Sequence, residues 1–213
     1  LELDVPLVAV PTGTLNHLAR DLGVASVDDA VAAVRAGTAI RMDVGMIAGR
    51  LFLNTASFGA YTEVVDAREQ LEARAGKWLA LLVALVRVLR RLEPFDLELD
   101  GVRRSVWLVF VGNCRYSPPG FGPSWRERLD DGLLDVRLVD GTDPWARMRL
   151  VAAVLTGTLA SCPVYEERSC ERLEVRSRSG PLRLAVDGET FDAAATDFSI
   201  TKRPRALTVV VPD

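Results

Sequence analysis

The stretch Val8-Ala9-Val10-Pro11-Thr12-Gly13-Thr14-Leu15-Asn16-His17-Leu18-Ala19-Arg20-Asp21-Leu22-Gly23 changes its hydrophobic period in the middle, between Pro11 and Gly13. Before the change lies an apolar run, Val5 to Val10, interrupted by Pro6 and closed by Pro11. It is too short to bury one face of a helix and reads as a buried strand. After the turn, Leu15, Leu18, Ala19 and Leu22 recur at helical spacing, with Thr14 placed to cap the helix and Gly23 to end it. The first turn of such a helix has unpaired N–H groups and partial positive charge, and Gly13 lets a ligand come close to the backbone. A phosphate suits that place. An ordinary strand-to-helix connection would carry the same residues, so local physics leaves both readings open.

Composition bounds the rest. The chain has 213 residues, 49% hydrophobic and 26% charged, with a net charge of −3, a globular composition that gives no reason to expect nucleic acid. No run reaches the roughly 18 apolar residues of a membrane span. Cys114, Cys162 and Cys170 form no Cys-x-x-Cys pair, and a single histidine, His17, removes most zinc arrangements. The expected setting is a reducing cytoplasm. Leu1 carries no signal-peptide pattern, and the chain opens just before a strand, as though cut from something longer.

Further along, Val27 to Ala36 is expected as a helix capped by Ser26, stopped by Gly37, and turning Val27, Ala30, Val31 and Val34 inward. Arg41 to Ile47 and Leu51 to Ser57 flank Ala48-Gly49-Arg50 as a hairpin. A domain boundary is therefore placed near Thr38, dividing the chain into residues 1–38 and 39–213. Helices are expected over Tyr61 to Ala73 and Gly76 to Leu92. The second is apolar nearly all round until Arg87, Arg90 and Arg91, which suits a helix packed on a sheet or a face meeting anionic lipid headgroups. Phe95 to Leu99 and Val102 to Gly112 flank the two-residue turn Asp100-Gly101. A loop from Tyr116 to Pro123 comes before a strand at Leu133 to Val139 and an amphipathic helix at Trp145 to Leu155. Strands at Leu173 to Arg176, Leu182 to Val186, Asp197 to Ile200 and Leu207 to Val211 close the chain. The fold class is α+β: a remnant of an α/β domain, then a β-rich, sandwich-like domain with a few helices.

Two acidic turns stand out. Asp130-Asp131-Gly132 precedes an alternating strand, as an ordinary turn would, but its carboxylates and the carbonyl of Leu133 are also oxygen donors of the kind Mg²⁺ takes. In Val186-Asp187-Gly188-Glu189, the alternation of Leu182, Leu184 and Val186 sends the Asp187 carboxylate off the face opposite the apolar one, at the tip of a turn.

Pro11-x-Gly13-Thr14-x-Asn16-x-x-Ala19-Arg20 resembles the nucleotide-site segment of the diacylglycerol kinase catalytic family, which includes bacterial lipid kinases and sphingosine kinases. Asn54 to Gly59, Val111-Gly112-Asn113, the Asp131-Gly132-Leu133 turn and Asp187-Gly188-Glu189 resemble further family segments, in the family's order. The resemblance implies transfer of the γ-phosphoryl of ATP to a lipid hydroxyl. Asp187 would be the general base, supported by Glu189, with Thr12, Gly13, Thr14, Asn16 and His17 at the nucleotide and Asp130, Asp131 and the Leu133 carbonyl at a structural Mg²⁺. It also implies ATP and Mg²⁺ as cofactors, a lipid substrate met by transient contact with a membrane surface from the cytoplasm, and leaves a homodimer open. Three features depart from the family. No Gly-Gly-Asp-Gly-Thr loop is present, His17 stands where many members carry Asp, and Trp125-Arg126-Glu127-Arg128 replaces a Pro-x-Ala. A non-catalytic lipid-binding or regulatory module is the alternative, and a nucleotide acceptor, as in the related NAD kinases, is a third.

Overall fold

Val106 to Val111 is an unbroken apolar run, and a strand buried on both faces is what such a run makes. In the computed structural model, which describes residues 5–13, 16–59, 94–118, 125–193 and 195–212, this run is the middle of the fold's spine. The strands in chain order are β1 (Ala39–Ile47), β2 (Arg50–Phe52), β3 (Thr55–Gly59), β4 (Phe95–Leu99), β5 (Val102–Asn113), β6 (Tyr116–Ser117), β7 (Trp125–Arg126) and β8 (Leu134–Asp140). They continue as β9 (Tyr165–Cys170), β10 (Arg172–Ser177), β11 (Arg183–Val186), β12 (Glu189–Asp192) and β13 (Asp197–Val210). Three α-helices accompany them among the described residues: α1 (His17–Asp21), α2 (Val27–Ala36) and α3 (Ala146–Thr156).

Eleven strands form one sheet in the order β12-β11-β3-β5-β4-β10-β13-β1-β2, with β8 on the other edge of β5 and β9 beyond it. Ile47 of β1 and Phe52 of β2 share one buried cluster with Phe58 of β3 and Leu184 of β11, although β1 and β2 lie at the opposite end of that order. The sheet therefore curls on itself, as a sandwich-like domain requires. A register shift in β5 between Val106 and Leu108 turns Trp107 and Leu108 to the other face, where they pack with Ala146, Leu150 and Ala153 of α3. A third cluster joins Ala19, Leu22, Val24 and Ala30 to Met42, Val44, Leu207 and Val209.

Both hairpins that the sequence predicts are present, but Arg50, expected in the turn of the first, opens β2, and the expected strand Leu51 to Ser57 is divided into β2 and β3. Asp100-Gly101 and Ala48-Gly49 have positive φ at each residue, the form that matches strand twist. Helix α2 has the expected bounds, and Ser26 and Asp29 cap it reciprocally. Its inward face differs from the expectation. Ala30 and Ala33 are buried while Val27, Val31 and Val34 are exposed, because the small residues let the helix lie close to its neighbours. Val5 to Val10 is not a buried strand: only Leu7 makes a bridge, parallel to Val209, and Val5, Val8 and Val10 are exposed. The expected helices at Tyr61 to Ala73 and Gly76 to Leu92 lie outside the described residues, as do Thr14 and Leu15. No helix of the described residues is long and apolar enough to cross a membrane.

Candidate functional site

Between β2 and β3 the chain leaves one ladder before joining the next, so the backbone groups of Leu53 and Asn54 need partners from elsewhere. Asp187 supplies them on one side. It sits with Gly188 in the β11–β12 turn, φ 48° and 96°, conformations for which a glycine at the second position is the natural choice. Its Oδ2 accepts from the Leu53 N–H at 2.7 Å, and its Oδ1 accepts from the N–H groups of Asn54 and Thr55 at 2.8 and 2.9 Å. The Asp187 N–H in turn donates to the Thr55 carbonyl at 2.9 Å. Three of roughly four lone-pair positions are thus filled, and one on Oδ2 remains. Residues Asp187 and Glu189 are both exposed.

The opposite side of the same turn is held by cations and amides. Arg126 donates through Nη1 to the Leu53 carbonyl at 2.6 Å and to the Asn113 carbonyl at 3.1 Å, and through Nη2 to Asn54 Oδ1 at 3.0 Å. Asn113 Nδ2 donates to the carbonyls of Leu53 and Asp43, and Tyr116 Oη donates to the Asn54 carbonyl. Gly112 makes room for this: a Cβ there would stand 2.7 Å from the Tyr116 ring. Arg126 then reaches α1, its Nε donating to Asp21 Oδ2 at 2.6 Å, with both side chains essentially buried. A continuous polar path therefore runs from Asp187 through Asn54 and Arg126 to Asp21, four residues past His17.

The expected nucleotide turn holds itself together. The Thr12 N–H donates to the Val10 carbonyl, and the Gly13 N–H donates to Asn16 Oδ1 at 2.8 Å. Asn16 precedes α1 in the left-handed conformation, φ 47°, and His17 opens the helix, half-buried. An arriving phosphate would compete with Asn16 for the Gly13 N–H. Thr14 lies outside the described residues.

Of the expected metal ligands, Asp131 and the Leu133 carbonyl come together, but Asp130 turns away to Arg128 and Arg205. What Asp131 and Leu133 meet is the ammonium of Lys202, from β13. Its Nζ lies 2.9 Å from Asp43 Oδ2, 3.0 Å from the Leu133 carbonyl, 3.0 Å from Cys114 Sγ and 3.4 Å from Asp131 Oδ1. Burial pushes Asp131 up, but the N–H groups of Arg115 and Leu133 and the Lys202 charge outweigh it and hold the carboxyl below its usual range. Burial also drives the Cys114 thiol up to about 11, against the pull of Lys202. A divalent ion does not fit beside that ammonium.

Sequence reading missed Arg126, Asp21, Tyr116, Asp43 and Lys202, and it treated Asn54 and Asn113 as family markers without chemistry. For the asparagines there was a signal, since Asn113 is a polar residue at the end of an apolar strand and Asn54 a polar break inside the run Leu51 to Ser57; for Lys202 and Arg126 nothing local marks them out among 26 basic residues.

The profile of the family described as "YegS C-terminal NAD kinase beta sandwich-like domain" matches residues 54–211. A protein of Pseudomonas aeruginosa named "Probable lipid kinase YegS-like" is 29% identical over 216 residues, covering 98% of this chain and 69% of its own length. The "Diacylglycerol kinase" of Bacillus subtilis is 28% identical over 190 residues, covering 86% of this chain and 62% of its own. A solved diacylglycerol kinase structure from Bacillus anthracis superposes with a TM-score of 0.69 over 99% of this chain and 70% of its own, at 23% identity, and shares the fold.

Proposed function

We propose a function from a plain premise, that the chain belongs to the YegS C-terminal NAD kinase beta sandwich-like domain family: it serves an ATP-dependent lipid kinase of the diacylglycerol kinase kind. The observation that carries this reading is the Asp187 carboxylate, fixed at an exposed hairpin tip and joined through Asn54 and Arg126 to Asp21 of α1. Residues 1–38 are read as belonging to the nucleotide side and residues 39–213 to the lipid side.

In the reaction, a lipid hydroxyl oxygen bonds to the γ-phosphorus of MgATP as the bond to the β-phosphate oxygen breaks and ADP leaves. The hydroxyl proton passes to Asp187, whose remaining Oδ2 position is the acceptor. The three backbone N–H groups hold the carboxylate in one orientation, so the base does not have to be positioned at the moment of transfer. Glu189, two residues on at the start of β12, adds negative charge beside it. Thr12, Gly13, Asn16 and His17 are assigned to the nucleotide, together with Thr14. The lipid is met at a membrane surface, from the cytoplasm, by transient contact, and a homodimer is compatible with this.

The test is phosphate transfer from labelled ATP to diacylglycerol in mixed vesicles, using the protein that carries this chain. A labelled lipid product supports the reading. A non-catalytic lipid-binding module, favoured by His17 standing where the family carries an acid, would bind the same vesicles and yield no product.

A further inference from the structure

We propose that the Lys202 ammonium is a built-in replacement for a divalent ion at the Asp131 turn, so that this turn is ordered without any bound metal. The inference stands on packing and charge and does not depend on the kinase reading. Lys202, Asp43 and Asp131 have side chains only 3%, 1% and 6% exposed, so bulk water contributes almost nothing to their solvation. Within that closed space, every carboxylate oxygen has a protein partner. Asp43 Oδ1 accepts from the Arg205 N–H at 2.8 Å, and Asp43 Oδ2 accepts from the Gly132 N–H at 2.8 Å and from Lys202. Asp131 Oδ1 accepts from the Leu133 N–H at 2.8 Å and from Lys202, and its Oδ2 accepts from the Arg115 N–H at 3.0 Å. The ammonium has three N–H groups and four acceptors at 2.9 to 3.4 Å around it. It occupies the centre that a hard cation would need in order to reach the same oxygens at about 2.0–2.6 Å.

The fold builds this arrangement in. Lys202 stands opposite Gly45 in the β1–β13 ladder, just before the irregularity at which Asp43 faces Arg205. The bulge turns Asp43 inward, and the Arg205 N–H, donating to its Oδ1, keeps it there. A covalently attached cation costs no separate binding event and cannot be removed by a chelator.

Removing the ammonium should expose the hole it fills. Asp43, Asp131 and Cys114 offer ligand atoms within 4.8 Å of one another, and the Leu133 carbonyl adds an oxygen. That mixed oxygen and sulfur set favours Mn²⁺, Zn²⁺ or Cd²⁺ over Mg²⁺.

The experiment compares the wild-type chain with Lys202→Met by equilibrium dialysis against Mn²⁺ and by thermal melting in EDTA, Mg²⁺ or Mn²⁺, with no nucleotide present. The expected result is a wild-type chain that retains no Mn²⁺ at this turn and melts at the same temperature in all three. Lys202→Met should melt lower in EDTA and recover with Mn²⁺, retaining one ion per chain. A wild-type chain whose melting temperature falls in EDTA, recovers with Mg²⁺ and loses that response in Asp131→Asn would overturn the proposal. Because this arm uses the wild-type fold, it decides the matter even if Lys202→Met does not fold.

Discussion

At the scale of single residues, Asp187 anchors the Leu53–Thr55 backbone in addition to the proposed role as base. The alternation of Leu182, Leu184 and Val186 placed its carboxylate at a hairpin tip, and so it is. What pattern cannot reveal is a partner more than a hundred residues away, the Leu53–Thr55 backbone. Asp187→Asn therefore has two expected effects. Turnover falls by about 10²–10⁴-fold as the base is lost. Stability drops as well, by about 1 kcal/mol, because the amide nitrogen turns a donor toward backbone donors. Steady-state rates and a urea midpoint on the same sample check both; a variant as stable as wild type would remove the anchoring role. Cys114 provides a second residue-level expectation. Burial holds its thiol at about 11 and closes it from solvent, so a thiol reagent at about pH 8 should leave it unmodified until the chain unfolds. Rapid native labelling of Cys114, located by peptide mass mapping, would contradict the buried Lys202 cluster.

At the scale of elements, the turn between β2 and β3 joins the two ends of the chain, and Arg126 is its central cation. Arg126→Ala takes the guanidinium from buried Asp21, which keeps the main-chain N–H of residue 126, and removes one donor each from the carbonyls of Leu53 and Asn113. The expected loss is about 3–5 kcal/mol in urea unfolding. Arg126→Lys should recover only part of it, since one ammonium cannot reproduce the guanidinium fork. Elements were legible where local rules decide them: the Asp100-Gly101 and Ala48-Gly49 hairpins, and α2 with its Ser26 cap. They were not legible where partners are distant. Strand β9, Tyr165-Glu166-Glu167-Arg168-Ser169-Cys170, is polar because among the described residues it pairs only with β8, at an edge, and so it carries no alternation strong enough to see. Asp197 to Ile200 and Leu207 to Val211 read as two strands because Lys202-Arg203-Pro204-Arg205 interrupts the apolar pattern. They are one strand, β13, whose bulge at Arg205 is fixed by Asp43 from the other end of the sequence. Val5 to Val10 looked buried because it is apolar, yet only a bridge at Leu7 attaches it to the sheet.

For the whole molecule, titration provides an integrated check. Glu98 is held low by its bond to Arg178, and Asp29 by the Ser26 hydroxyl and the N–H groups of Ala25 and Ser26. Burial raises Asp131, but its hydrogen bonds and Lys202 bring it below the usual range. Groups depressed in the folded state contribute stability above their unfolded values, about 3.9 for Asp and 4.3 for Glu, and lose it as pH falls through the folded values. Cys114 has the opposite sign. Raised to about 11, it favours the folded state fully below the ordinary thiol value of about 8.5, and that contribution is lost as pH rises toward its folded value. Melting temperature is therefore expected to be flat from about pH 5 to about pH 8 and to fall on both sides. A maximum near pH 4 would contradict the carboxylate pairings. The fold class and the order of the family segments were readable at this scale, because composition and motif order survive where contacts are invisible. The polar path linking α1 to Asp187 was not, since it is assembled from four separate parts of the chain. The most direct measurement is transfer of labelled γ-phosphate from ATP to diacylglycerol vesicles by the protein carrying this chain, wild type beside Asp187→Asn. The account predicts labelled lipid from the wild type and none above background from the variant; undiminished lipid labelling by Asp187→Asn, or label appearing on NAD and never on lipid, would contradict it.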